Sequence, residues 1–107
     1  MIPIVKVVQP SGILDTVSGN QLRHDISEIV ATGADIVLID LQDVKFIDSS
    51  GLGALVSALK MVRAIEGKLF VCSINEQIRI VFELTGMDQF FKNFADRDDF
   101  NRQVIAT

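Results

Sequence analysis

A carboxylate, two adjacent hydroxyls and a glycine stand together at Asp48-Ser49-Ser50-Gly51, between an apolar run and an amphipathic segment. A serine held at a helix N-terminus beside a strand end presents its hydroxyl, and the chemistry it could do depends on its neighbours. Nucleophilic catalysis needs a base, usually a histidine. The only histidine is His24, in the middle of a different predicted helix, and the G-x-S-x-G elbow is absent because Ile47-Asp48 precede Ser49. His24 reads as an exposed helical residue, and a serine hydrolase is set aside. Metal binding fails on spacing: one Cys, one His and dispersed carboxylates make no ligand set, and Asp96, Asp98 and Asp99 read as a solvated helix start. Cys72 lies in an apolar strand and reads as a buried, inert thiol. Gly51-x-Gly53 is too short for a phosphate loop, so no cofactor is expected. What remains is a hydroxyl that another protein can modify. Phosphorylation of Ser49 would add about 1.5 to 2 negative charges. Backbone N–H groups at the helix start could stabilise that phosphate within the domain, whereas at a docking interface it would repel acidic groups or add a desolvation cost. A helix cap with polar turn residues accounts for the same residues without any function. Two adjacent hydroxyls are more than one cap requires, which tips the reading toward use.

The elements that must position this turn follow from periodicity. Ile36-Val37-Leu38-Ile39 has the length and β-branched content of a strand covered on both faces. Leu52, Leu55, Val56, Leu59 and Val62 recur at helical spacing and predict a helix from about Gly51 to Ile65, ended by Gly67. Asp48 or either serine can cap it. Gly51 and Gly53 lower helix propensity there but let another backbone come close. Upstream, Ile2–Gln9 predicts a first strand ended by Pro10. Ser11-Gly12 signals a turn, after which Ile13-Leu14 is expected to pair antiparallel to that strand. Asp15, Thr16 and Ser18 are candidate caps of a helix running to about Ala31, with Leu22, Ile26, Ile29 and Val30 as its apolar stripe and Gly33 as its stop. Downstream, Lys68–Ser73 predicts a buried strand. Ser73 or Asn75 caps a helix carrying Ile78, Val81 and Phe82, stopped at Gly86. Phe90, Phe91 and Phe94 suggest a short strand or a packed edge segment, and Asp96–Val104 a terminal helix. The order β-β-α-β-α-β-α-β-α is that of an α/β domain with a mixed sheet, in which functional groups collect outside the carboxyl ends of strands.

Composition bounds the function. The 107 residues fit one domain, 1–107; 49% are hydrophobic and 22% charged, a globular profile. A net charge of -4 without a basic cluster disfavours nucleic acid. No apolar run approaches a membrane span, and MIPIVKVVQP lacks the plan of a secretion signal. One cysteine is compatible with a reducing compartment, and a cytoplasmic monomer is the default expectation.

FIDSSGLGALVSALK, preceded by IVLIDLQDV, resembles the signature of bacterial anti-sigma factor antagonists, the STAS domain family. The likeness extends across nearly the whole chain. Ser11-Gly12-Ile13-Leu14-Asp15 resembles the family's G-x-L-D at the end of its second strand, Gly67–Cys72 its fourth strand, and Val81–Met87 its helix and Gly-turn. The D-S-S-G-L-G string is the specific part; the other matches are apolar and weaker. The resemblance implies a single STAS-like α/β domain, a mixed, mostly parallel β-sheet with about four helices packed on it. It also implies a non-enzymatic partner switch. An anti-sigma factor serine kinase would bind the unphosphorylated chain and release it on phosphorylating Ser49, and a PP2C-type phosphatase would restore it. Asp48 would support kinase recognition and Ser50 would assist, with Asp48, Ser49, Ser50, Gly51, Leu52, Gly12 and Asp15 forming the implied partner-binding set. Ile13 departs from the family, which usually has a polar residue there, and this alters the partner surface. The chain is expected to be a free antagonist rather than the tail of an anion transporter. Two other readings stand beside it: a scaffold subunit of a signalling assembly, and a module holding a small anion or nucleotide at the strand-end turn.

Overall fold

The apolar run at Ile36–Asp40 lies at the centre of the computed structural model, which describes residues 2–106. In chain order the elements are β1 (Val5–Val8), β2 (Ser11–Leu14), α1 (Thr16–Ala31), β3 (Ile36–Asp40) and β4 (Asp43–Ile47). They continue as α2 (Ser49–Ala64), β5 (Lys68–Cys72), α3 (Glu76–Thr85), β6 (Asn93–Phe94) and α4 (Arg97–Phe100). A 3-10 turn at Met87–Gln89 leads toward β6, and a π-helical turn at Asn101–Ile105 prolongs α4. Strands β1-β3-β5-β6 form one sheet and β2-β4 a second. All of these ladders are parallel.

Side-chain alternation along β3 and β5 divides the core between the two faces of the larger sheet. Val37, Ile39, Leu69 and Val71 join the main cluster with Leu22 and Ile26 of α1, Leu55 and Val62 of α2, and Phe82 of α3. Leu38 and Cys72 point the other way, onto Phe94 and Phe100. There Phe70, Phe94 and Phe100 meet edge-on or tilted, with ring centroids 5.6–5.8 Å apart. With both faces covered, β3 has no use for polar residues until its end. There Asp40 is 1% exposed, and its carboxylate accepts from Arg97 Nε at 2.6 Å and from the Gln42 N–H at 3.0 Å. Arg97 also donates to Gln9, which donates to Asp43, so α4 is tied to the ends of β1, β3 and β4.

The α/β class and the mostly parallel sheet are as expected; the antiparallel pairing of Ile13-Leu14 with the first strand is not. β1 pairs with β3, and β2 pairs with β4 in parallel. Only Gln9-Pro10 separates β1 from β2, without the glycine or asparagine that a two-residue hairpin turn requires. The chain therefore passes to the second sheet. Strand β4 is an addition to the expected order. Its register slips between Gly12 and Ile13, which face Val44 and Phe46, leaving Lys45 as an extra residue. That bulge puts the buried Val44 and Ile47 three positions apart, so period-2 alternation is lost. Smaller differences lie at the ends. The first strand is shorter than Ile2–Gln9, and α2 starts at Ser49 rather than Gly51. The reversal after α2 falls at Glu66, with φ of 61°, one residue before Gly67. Asn75, not Ser73, caps α3, accepting from the Ile78 N–H at 2.8 Å.

Removing the guanidinium would leave the Asp40 carboxylate without its ion-pair partner in a dry site. Arg97→Ala is expected to lower stability by about 2–3 kcal/mol, below the full buried-pair penalty because Arg97 is itself half exposed. The shift in urea midpoint at constant slope checks this.

Candidate functional site

Two strand-to-helix junctions lie side by side where β2 and β4 end. Leu14 faces Ile47 in the ladder, and each is followed by an aspartate that caps the next helix. At the first junction Asp15 accepts from the Ser18 N–H at 3.1 Å, and Ser18 Oγ accepts from the Asp15 N–H at 2.9 Å, a reciprocal capping box. The Ser18 N–H, and then its hydroxyl, hold the Asp15 carboxyl below the usual carboxylate range. At the second junction Asp48 accepts from the Gly51 N–H at 2.9 Å, while its own N–H donates to the Leu14 carbonyl at 3.2 Å. Of the three candidate caps of α2, Asp48 is therefore the one used.

Gly51 explains how the two junctions come so close. It is buried, and a Cβ built on it would overlap the Leu14 carbonyl oxygen and lie 3.0 Å from Ile47 Cγ2. Only glycine lets the first turn of α2 rest on the last residue of β2. Gly53 has no such role, since the nearest atom to a Cβ there would be the flexible end of Arg23 at 3.4 Å. Gly19 of α1 has one that the sequence reading missed: its Cβ would sit 3.1 Å from Ala54 Cβ, so α1 and α2 touch nearly backbone to backbone.

This packing decides what each hydroxyl does. Ser50 is half-buried and accepts from Thr16 Oγ1 at 3.0 Å, joining the first turns of α1 and α2. The sequence offers Thr16 only as a possible cap; its place after Asp15, matching Ser49 after Asp48, is the available signal. Ser49 is exposed, and its hydroxyl makes no protein hydrogen bond among the described residues. Leu52 is half-buried against the main core. Gly12, with φ of 75°, sits in β2 opposite the start of the β4 bulge, away from the strand-end junction. Thus Asp15, Asp48, Ser49, Ser50 and Gly51 come together, while Gly12 shapes β2 behind them. Phe46 and Ile13, 42% and 55% exposed, face each other in the ladder just before the two caps. Val17, in the first turn of α1, is 79% exposed. Phe46 was missed because its strand was missed.

The other candidates sit elsewhere. His24 lies on the exposed face of α1, with Nε2 3.1 Å from Glu28 Oε1. Cys72 is fully buried, and burial pushes its thiol up, away from a reactive thiolate. Among the described residues no cluster of three or more His, Cys, Asp or Glu side chains could hold a metal, and no helix is long and apolar enough to cross a membrane.

The STAS domain model matches residues 2–100. The chain belongs to the STAS domain family. Among its relatives, the anti-sigma-B factor antagonist of Bacillus subtilis is 35% identical over 75% of this STAS domain and 72% of its own length. An anti-sigma factor antagonist structure from Mycobacterium paratuberculosis is 31% identical, with a TM-score of 0.76 over 87% of this chain and 79% of that one. The anti-sigma factor antagonist SpoIIAA in its unphosphorylated form shares the fold at 21% identity, with a TM-score of 0.77 over 95% and 90% of the two chains. SpoIIAA has also been solved phosphorylated, matching with a TM-score of 0.70 at 23% identity over 95% and 94%.

Two outcomes test the geometry of this junction. Gly51→Ala is expected to lose about 2–3 kcal/mol, as overpacking against backbone does, measured by denaturant unfolding. The depressed Asp15 carboxyl contributes stability fully present above its unfolded pKa of about 4 and lost as pH falls through its lower folded value. An Asp15→Asn variant should therefore show a shallower decline in unfolding midpoint below about pH 4 than the parent chain.

Proposed function

We propose that this STAS domain is an anti-sigma factor antagonist that acts as a phosphorylation-controlled partner switch through Ser49. The observation that carries the proposal is the contrast between two neighbouring hydroxyls. Ser50 is committed to Thr16, whereas Ser49, at the first position of α2, is exposed and its hydroxyl is unbonded among the described residues. The antagonists among its relatives, and a neighbour solved in phosphorylated and unphosphorylated forms, support it.

The unphosphorylated chain docks on an anti-sigma factor that is itself a serine kinase. Ile13, Phe46 and Val17 give the surface beside Ser49 an apolar character that suits a desolvated contact. In the docked complex Ser49 Oγ attacks the γ-phosphorus of ATP held by the kinase. An O–P bond forms, the bond to the ADP oxygen breaks, and the hydroxyl proton passes to a base of the kinase. The chain is substrate, not catalyst. The product carries about 1.5 to 2 extra negative charges at the rim of an apolar surface. Backbone N–H groups of α2 stabilise that charge in the free domain, so the fold tolerates it. In the complex the same charge must be desolvated, and the kinase lets go. A PP2C-type phosphatase hydrolyses the ester and resets the switch, a cycle that draws on cytoplasmic ATP. Asp48 and Gly51 hold the first turn of α2 in place, and Asp15 holds that of α1 beside it.

Binding to the cognate kinase with ATP present, followed by calorimetry, is the direct test. Ser49→Ala should keep the complex, and Ser49→Asp should weaken it at least about tenfold, or 1.4 kcal/mol. Equal affinity of the two variants would sink the proposal.

A further inference from the structure

The C-terminal half of α2, away from Ser49, forms one wall of an apolar groove of about 240 Å³. Val56, Leu59, Lys60 and Arg63 contribute that wall at i, i+3, i+4 and i+7, a single helical stripe. Met87, Phe90 and Phe91, from the 3-10 turn and the residues after it, form the other. Leu59 and Phe91 are buried, Val56 and Met87 half-buried, and Phe90 is an aromatic ring left 51% exposed. At the rim stand Lys60 and Arg63, both exposed, neither with an ion-pair or hydrogen-bond partner among the described residues. Among the described residues Arg63 is the exception among the arginines, since Arg23 bonds Asn20 and Ser57 and Arg79, Arg97 and Arg102 pair with carboxylates, whereas Lys60 shares its unpaired state with Lys6, Lys45 and Lys68.

Two cations three residues apart on one helix face repel each other. The helix C-terminus favours Arg63 in its last turn, but that effect fades before the middle of the helix and does not account for Lys60 beside an apolar slot. The pair becomes favourable when one anion sits between them. An apolar slot with a cationic rim, in a chain of net charge -4, complements a ligand with a hydrocarbon tail and an anionic head. The volume falls below the roughly 300 Å³ at which drug-sized pockets begin, so the tail is short.

We infer that this groove is a binding site for a medium-chain monocarboxylate, its alkyl tail lying between Val56 and Phe90 and its carboxylate between Lys60 and Arg63. The inference is independent of the switch at Ser49 and stands or falls separately. Binding needs no covalent step.

The test is a titration of the full chain with sodium octanoate below its micellar range, followed by methyl and amide NMR. Saturable shifts should be confined to Val56, Leu59, Met87, Phe90 and their neighbours. Affinity should rise about three- to fourfold per methylene from butanoate to octanoate as each is buried. Neutral 1-octanol should bind about fivefold more weakly than octanoate, and added salt should narrow that gap. The variant Lys60→Gln/Arg63→Gln, altered only at exposed positions, should bind octanoate no better than octanol while leaving octanol unchanged. Shifts scattered over the surface, no saturation, or an unchanged preference for the carboxylate in the double variant would each overturn the inference.

Discussion

The close approach of Gly51 to the last carbonyl of β2 is the constraint on which the rest of the site depends. It presses the first turn of α2 onto the end of a strand from the other junction, bringing Asp15 and Asp48 into neighbouring positions. The Asp48 N–H is used on that same carbonyl of Leu14, so one oxygen fixes both the entry angle of the chain and the seat of the helix. A side chain at position 51 would force α2 away from β2, and Ser50 would lose Thr16. Ser49, which faces outward because its neighbours are committed inward, would lose its fixed place.

The larger sheet makes this possible by remaining rigid behind it. β3 is buried on both faces, and its flanking strands run parallel to it. α1 and α2 lie together over one face, meeting at Gly19 and Ala54. The opposite face is closed by Phe94 and Phe100, and Arg97 holds that closing segment to the buried end of β3. Stability thus resides mainly in the sheet and its two cores, while the functional turn is an exposed corner built on top. Such a corner can accept a charge without disturbing the packing beneath it.

Much of this was legible from residue types. The β3 run, the stripe of α2, the polar turn ahead of it and the caps Asp15 and Asn75 all follow from residue types, but the strand that enters the turn is β4, not β3. Gly51 signals a point of close approach, though not what approaches it. The rest was hidden for physical reasons. The bulge at Lys45 erased the alternation that would have revealed β4, and with it the exposed Phe46. Parallel pairing of β2 with β4 depends on contacts far apart in sequence that no local pattern encodes. The bond between Thr16 and Ser50 joins first turns 34 residues apart, so nothing local separated the two serines at the turn.

The central claim is that Ser49 is the hydroxyl that changes state. Intact mass and site mapping of the protein isolated from its native host, with and without PP2C-type phosphatase treatment, test it most directly. The account predicts a single phosphate, on Ser49, that the phosphatase removes. A chain unmodified across growth conditions, or one carrying its phosphate on Ser50 or Thr16, would contradict it.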